Sequence, residues 1–152
     1  MEVRHPLEEE RSQVVALVSA LLDELGASSL LSLPDGLTAL EELMTHPERG
    51  SVLVAVEGER LLGVATLSYQ WALRTRGWYA ILQEMYVKPQ ARSNGTGAML
   101  LEGASLEAAR AGCPQIELAT PGDHSPYHGR RAERFYVSHQ FRVVGKRLVK
   151  VL

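Results

Sequence analysis

Two glycines, Gly95 and Gly97, open a stretch of helix-forming sequence shortly after a strand-like segment that ends at Pro89. The first backbone N–H groups of a helix have no partner inside the helix, and they carry the positive end of its dipole. Because glycine has no Cβ, an oxygen-rich anion can approach such a turn closely, and Arg92 adds a positive charge beside it. The pattern predicts a binding site for a pyrophosphate group.

The residues after these glycines argue against two common phosphate sites. A Walker loop requires Lys and then Ser or Thr where Ala98 and Met99 stand. A Rossmann dinucleotide site requires a third glycine where Leu100 stands, so that helix and strand can pack closely. A nucleotide-binding protein that uses the turn in another way stays open as an alternative.

A single carboxylate, Glu84, interrupts the apolar strand predicted from Trp78 to Val87. A carboxylate in such surroundings can serve as a general base, directly or through a water molecule. It can equally be a structural group that pairs with an arginine such as Arg74 or Arg76. Both interpretations of Glu84 are kept at this point.

The periodicity of apolar residues predicts the elements that position these groups. Helical spacing covers about Glu8 to Leu25, Leu37 to Thr45 after a loop at Pro34 to Gly36, Met99 to Ala111, and the face formed by Ala132, Phe135, Tyr136 and His139. Extended patterns cover Val3 and Arg4, Ser51 to Val56, Leu61 to Tyr69, Trp78 to Val87, Ile116 to Ala119, and Arg142 to Leu152 as one more strand or a bent pair. The order indicates an α/β or α+β layer with helices packed on a sheet.

Length and composition limit the class of protein. The chain has 152 residues, 45% of them hydrophobic, and a formal net charge of -2, which predicts one domain and disfavours a nucleic-acid partner. Its one cysteine, Cys113, can form no internal disulfide, and the N-terminal residues do not resemble a signal peptide. No apolar run is long enough to cross a membrane. We therefore expect a cytoplasmic protein.

Two motifs resemble the GNAT superfamily of acetyl-CoA-dependent N-acetyltransferases. The first runs from the strand into the glycine turn and contains Glu84, Tyr86, Val87, Pro89, Arg92, Gly95 and Gly97. The second lies near the C-terminus and contains Ala132, Phe135, Tyr136 and Phe141. The resemblance covers about Val52 to Val149, with Ser93 and Gln140 at positions where the family often has glycine.

The resemblance implies a fold and a set of site residues. The fold is a central, mixed, mostly antiparallel sheet of six to seven strands with about four helices, and the strands Trp78–Val87 and Ile116–Ala119 splay apart. The coenzyme A pyrophosphate would be held by backbone amides near Arg92, those of Ser93, Asn94, Gly95, Thr96, Gly97 and Ala98. The pantetheine arm would bond to the main chain of Met85, Tyr86 and Val87.

The resemblance also implies a reaction. Acetyl-CoA would pass its acetyl group to an amine of a small molecule or a peptide by direct attack in a ternary complex. Glu84 would be the base, and Tyr136 would be the acid that protonates the leaving thiolate. No metal is expected, since His124 and His128 are separated by Pro126 and fit a loop better than a metal pair. A homodimer is possible. The alternative is a non-catalytic module that binds acyl-CoA without turnover.

Overall fold

The structure, a computed structural model, describes residues 1–27, 31–121, 129–145 and 148–151. The chain divides into two units, Met1–Leu118 and Ala119–Leu152. The first unit contains the sheet and three α-helices, and the second contains one more. In chain order the elements are β1 (Glu2–Arg4), α1 (Arg11–Glu24), α2 (Leu33–Thr45), β2 (Gly50–Glu57), β3 (Arg60–Ala72), β4 (Gly77–Val87), α3 (Thr96–Arg110), β5 (Ile116–Leu118) and α4 (Gly129–Ser138).

The sheet has the spatial order β1-β2-β3-β4-β5. Neighbours are antiparallel from β1 to β4, and β5 lies parallel to β4. This arrangement confirms the expected mixed, mostly antiparallel sheet. It also brings the segment before the glycine turn next to the strand Ile116–Leu118, as the resemblance implied.

Helices cover both faces of the sheet. The side chains of β2 alternate between the two faces and are buried on both. Val54 is fully buried in a cluster with Val14, Val15 and Leu17 of α1 and Leu40 of α2. Its neighbour Leu53 lies beside Gly103 of α3, on the opposite face. The buried residues of α3 are Thr96, Leu100, Leu101, Ala104 and Ala108.

Helix α3 ends in a Schellman motif that also buries the one cysteine. Gly112 has a φ of 79°, and the N–H of Cys113 donates to the carbonyl of Ala108 at 2.9 Å. Cys113 is 6% exposed, and burial raises the pKa of its thiol. The residue is a small buried group and not a reactive one.

The strand count differs from the prediction. The described residues contain five strands, and the described parts of Arg142 to Leu152 are not in a strand, so the expected sixth or seventh strand is absent from them. Val143, Val144 and Val149 have strong β-propensity, but a strand also requires a partner edge, which residue types do not specify.

Helix α2 begins earlier than expected. Pro34 to Gly36 was predicted as a loop, yet these residues form the first turn of the helix. The Ser32 side chain accepts a hydrogen bond from the N–H of Asp35 at 3.2 Å, and proline is tolerated in a first turn because its missing N–H would be unpaired there anyway. Gly36 packs so closely on α1 that a Cβ would lie 2.5 Å from Val15 Cγ1.

Candidate active site

Strand β4 has one edge that is only partly paired. It pairs with β3 along its length, but with β5 only at Ala80, Ile81 and Leu82. From residue 83 to Val87, the outer edge has no strand partner among the described residues. The two strands therefore stop pairing in the middle of β4, where the resemblance places a splay.

The main-chain groups that face this open edge follow from the ladder. Lys88 N–H donates to Leu62 O at 2.8 Å, so Lys88 faces β3. The main-chain N–H and C=O groups of successive residues point to alternate edges of a strand. Those of Tyr86 therefore also point to β3, whereas those of Met85 and Val87 point to the outer edge. The main-chain groups of Met85 and the N–H of Val87 suit an extended ligand that lies along the edge, whereas the Val87 carbonyl accepts from Arg92 Nε. Tyr86 instead contributes a buried ring to the core.

A β-bulge interrupts β4 at the point where its outer edge opens. Thr66 pairs with Glu84 and Leu67 with Leu82, which leaves Gln83 as the extra residue. Glu84 is half-buried, and the Thr66 hydroxyl donates to Glu84 Oε2. The same hydroxyl accepts from the N–H of Glu84 at 3.2 Å. The only carboxylate of this strand is therefore fixed at the bulge.

The structural alternative for Glu84 was an ion pair with an arginine such as Arg74. Arg74 instead binds Glu117 of β5, with Nη2 at 2.9 Å from Oε2, and its guanidinium lies 4.7 Å from the ring centre of Tyr79. The hydrogen bonds from Arg74 lower the pKa of Glu117. The partner of Glu84 is the hydroxyl of Thr66, which the sequence analysis did not identify.

The turn after β4 leaves backbone amides at the start of α3 without a partner inside the helix. Gly95 has a φ of 82° and is the N-cap of the helix. The first helical bond is from Met99 N–H to Gly95 O at 3.0 Å, so the N–H groups of Thr96, Gly97 and Ala98 have no partner of this kind. A Cβ on Gly95 would meet no atom within 4 Å, so the space beside the turn is open.

Side chains hold this turn in place. Thr96 is 1% exposed, and its hydroxyl donates to Ala91 O at 3.0 Å. Ser93 has a φ of 65°, a left-handed conformation that favours glycine, which gives a physical reason why the family often has glycine here. The serine keeps this conformation despite its Cβ.

The Arg92 side chain is occupied by contacts within the protein. Its Nε donates to Val87 O at 2.8 Å, and its Nη2 donates to Glu24 Oε1 at 2.6 Å. The guanidinium also lies 5.3 Å from the ring centre of Tyr86, whose hydroxyl donates to the same carboxylate at 3.3 Å. Burial is the main cause of the raised pKa of Tyr86. Arg92 thus ties the turn to β4 and to the last residue of α1.

The second unit contains Tyr136 on α4. Its ring packs edge-on against Phe135 at 5.3 Å and Phe141 at 5.6 Å between ring centres. Burial raises the pKa of Tyr136 to about 12, so the hydroxyl keeps its proton at neutral pH. Gln140 has a φ of 71°, which again fits the frequent glycine of the family at this position.

The remaining observations concern metal binding, a cavity and membrane crossing. His124 and His128 lie outside the described residues, within which no group of three or more His, Cys, Asp or Glu residues could hold a metal ion. A cavity of about 490 Å³ includes part of the glycine turn in its lining, with Ala91, Asn94 and Thr96 beside Arg60 and Lys88, and it does not include Glu84. None of the described helices is long and apolar enough to cross a membrane.

The chain matches the sequence model of a family described as an acetyltransferase (GNAT) domain over residues 48–143. It is also 31% identical over 152 residues to the aminoalkylphosphonate N-acetyltransferase of Salmonella typhimurium, an alignment that covers 99% of this chain and 91% of that protein. The chain therefore belongs to the GNAT acetyltransferases, a family that uses acetyl-CoA as cosubstrate. It is an acyltransferase.

Solved structures share the fold at lower identity. A transcriptional regulator from Bacillus halodurans superposes with a TM-score of 0.83 at 22% identity and covers 99% of this chain and 98% of its own. An aminoglycoside 6'-N-acetyltransferase from Acinetobacter haemolyticus superposes with a TM-score of 0.79 at 16% identity, with 100% and 98% covered. These similarities establish the GNAT fold.

Proposed function

We propose that this chain acts as one domain that transfers the acetyl group of acetyl-CoA to the primary amine of a small molecule. The observation that carries the proposal is the open edge of β4, which leads from the carboxylate of Glu84 to the amides at the start of α3 that have no partner inside the helix. A thioester ligand that lies along this edge has its pyrophosphate at one end and its acetyl group near the other.

The pyrophosphate would bind the backbone amides between Ser93 and Ala98. These groups are fixed in direction and carry the positive end of the α3 dipole. The amides and carbonyls of the β4 edge would hydrogen-bond to the pantetheine arm as an added strand would. Arg92 supports this site mainly by holding the turn, because its side chain already binds Val87 and Glu24.

The amine needs a base because an ordinary primary amine, with a pKa of about 10.4, is neutral in only roughly one molecule in 2,500 at pH 7. Glu84 would take its proton, directly or through a water molecule. The amine nitrogen then attacks the thioester carbonyl carbon, and the C–S bond breaks. The proton of Tyr136 would pass to the thiolate, and the second proton of the attacking nitrogen would return to Tyr136, directly or through water. Glu84 would release the first proton to solvent, so that the products are an amide, coenzyme A with a neutral thiol, and one proton. No covalent enzyme intermediate is needed.

The acceptor is proposed to be a small amine. The Salmonella typhimurium relative is named for aminoalkylphosphonates, and it aligns with nearly the whole of this chain. A panel of primary amines that contains an aminoalkylphosphonate, an aminoglycoside and a lysine peptide separates these classes. Release of the coenzyme A thiol from acetyl-CoA measures each one.

The decisive variant is Glu84→Gln. Removal of a general base lowers the rate by about 10²- to 10⁴-fold, so we expect kcat to fall in this range. The dissociation constant of coenzyme A, measured by calorimetry, should stay the same, because Glu84 lies on β4 and is not part of the turn proposed to bind the pyrophosphate. Glu102→Gln, at an exposed position of α3, is the matched control. A wild-type kcat in Glu84→Gln would contradict the assigned base, and coenzyme A binding without any thiol release would support the non-catalytic module.

A further inference from the structure

The hydroxyl of Thr66 makes two hydrogen bonds to one residue. It donates to Glu84 Oε2 and accepts from the N–H of Glu84 at 3.2 Å. A hydroxyl has one proton and two lone pairs, so both bonds can form at once. Thr66 is 5% exposed, and water has little access to compete for these bonds.

The β-bulge explains why this pair forms. The register of β3 and β4 shifts between Thr66 and Leu67, so that Thr66 and Glu84 lie opposite each other while Gln83 is the extra residue. As the extra residue, Gln83 has no opposite residue on β3, and its Nε2 donates to Ser68 Oγ at 2.8 Å. The bulge thus directs Glu84, and not Gln83, to the hydroxyl of Thr66.

One oxygen of the carboxylate is held and the other is left for a ligand. Thr66 binds Oε2, and within the described residues Oε1 accepts no hydrogen bond. A glutamate side chain has several rotatable bonds, and a base must lie within about 2.6–3.2 Å of the atom that carries the proton, or reach it through one water molecule. An anchored Oε2 therefore fixes where Oε1 can reach.

We propose that Thr66 is a positioning residue that orients Glu84 for proton transfer from the acceptor amine. This inference rests on the proposed function, since it has no meaning without Glu84 as the base. Thr66 touches neither substrate directly. Its contribution is to kcat through the geometry of Glu84.

The test compares Thr66→Ser with Thr66→Ala. Both remove the same methyl group, and they differ only in the hydroxyl. Because small misplacements in an active site can cost up to about 100-fold, we expect kcat of Thr66→Ala to fall by about 10-fold, while Thr66→Ser stays within about threefold of wild type. The KM for acetyl-CoA should change little in both variants. Thermal unfolding of each variant confirms that the folded protein is compared.

A second measurement separates positioning from general damage. In the Glu84→Gln background, Thr66→Ala should lower kcat no further, because residues that act as one unit are not additive. An equal loss in both backgrounds, or equal kcat in Thr66→Ser and Thr66→Ala, would overturn the inference alone. If the wild-type protein releases no thiol with any amine, the proposed function fails and the inference fails with it.

Discussion

The β-bulge at Thr66 and Glu84 lies within β4, and the glycine turn after Pro89 follows it. The bulge depends on side chains, whereas the turn depends on the backbone. At the bulge, the Thr66 hydroxyl is hydrogen-bonded to Glu84, and the proposed proton transfer depends on which side chains stand at these two positions. In the turn, the groups proposed to bind the ligand are backbone amides, while the side chains of Arg92 and Thr96 hold the turn in place. We therefore expect variants at the bulge to act on kcat and variants in the turn to act on coenzyme A affinity.

Among variants outside the bulge, the largest effect should come from Tyr136→Phe, which tests whether Tyr136 is the general acid that complements Glu84 as the base. Loss of a general acid lowers kcat by about 100-fold or more, with unchanged coenzyme A affinity. Because burial raises the pKa of Tyr136 to about 12, the hydroxyl stays protonated from pH 7 to 10, and titration of this group should not lower wild-type kcat in that range.

Tyr69→Phe is the matched control for this variant. Burial also raises the pKa of Tyr69 to about 12, but Tyr69 has no place in the proposed chemistry. Steady-state thiol release should therefore show a wild-type kcat for Tyr69→Phe. Equal losses of kcat in the two variants would mean that the loss comes from removing a hydroxyl in general, and not from removing the general acid.

Gly95→Val should have the next largest effect and should act on affinity. The residue has a φ of 82°, and a branched side chain in this conformation costs about 1–3 kcal/mol, so the turn is expected to shift. We expect a coenzyme A dissociation constant about 10-fold higher or more by calorimetry.

Gly112→Val controls for strain alone. Gly112 has a φ of 79°, equally open surroundings, and a place at the opposite end of α3. The two variants should lose similar stability, but only Gly95→Val should lose coenzyme A affinity. Unchanged affinity in a folded Gly95→Val protein would end the assignment of the turn as the pyrophosphate site.

Arg92→Gln should have the smallest effect on function. Hydrogen bonds to charged groups contribute about 1.5–3 kcal/mol each when buried, and Arg92 is 26% exposed, so the free energy of unfolding should fall by about 1–2 kcal/mol. Coenzyme A affinity should fall by less than about fivefold. Arg110→Gln, at the exposed end of α3, should change neither. A loss of affinity larger than that of Gly95→Val would show that the arginine itself binds phosphate.

The two regions also differ in how far the sequence predicts them. The glycine turn has a local signal, since Pro89, Arg92, Gly95 and Gly97 lie within one short segment. The partner of Glu84 has none, because Thr66 is 18 positions away and the register that joins them shifts by one residue at the bulge. Glu24 lies 68 positions from Arg92 and was missed for the same reason.

The fold was predicted where local pattern decides it. The alternating and continuous apolar runs predicted β2, β3 and β4, and the three- and four-residue spacing predicted the helices. The described residues of Arg142 to Leu152 do not form the expected strand, because membership of a sheet depends on an edge elsewhere in the protein. The cytoplasmic location and the homodimer stay predictions.

The burial of Cys113 has a practical consequence for enzymology. Colorimetric disulfide reagents titrate thiolates, and a sequestered thiol with a raised pKa offers them almost none. The folded protein should therefore add no background signal when the released coenzyme A thiol is measured with such a reagent. In denaturant the same reagent should detect one thiol per chain. One reagent can therefore measure both the rate of turnover and whether the protein is folded.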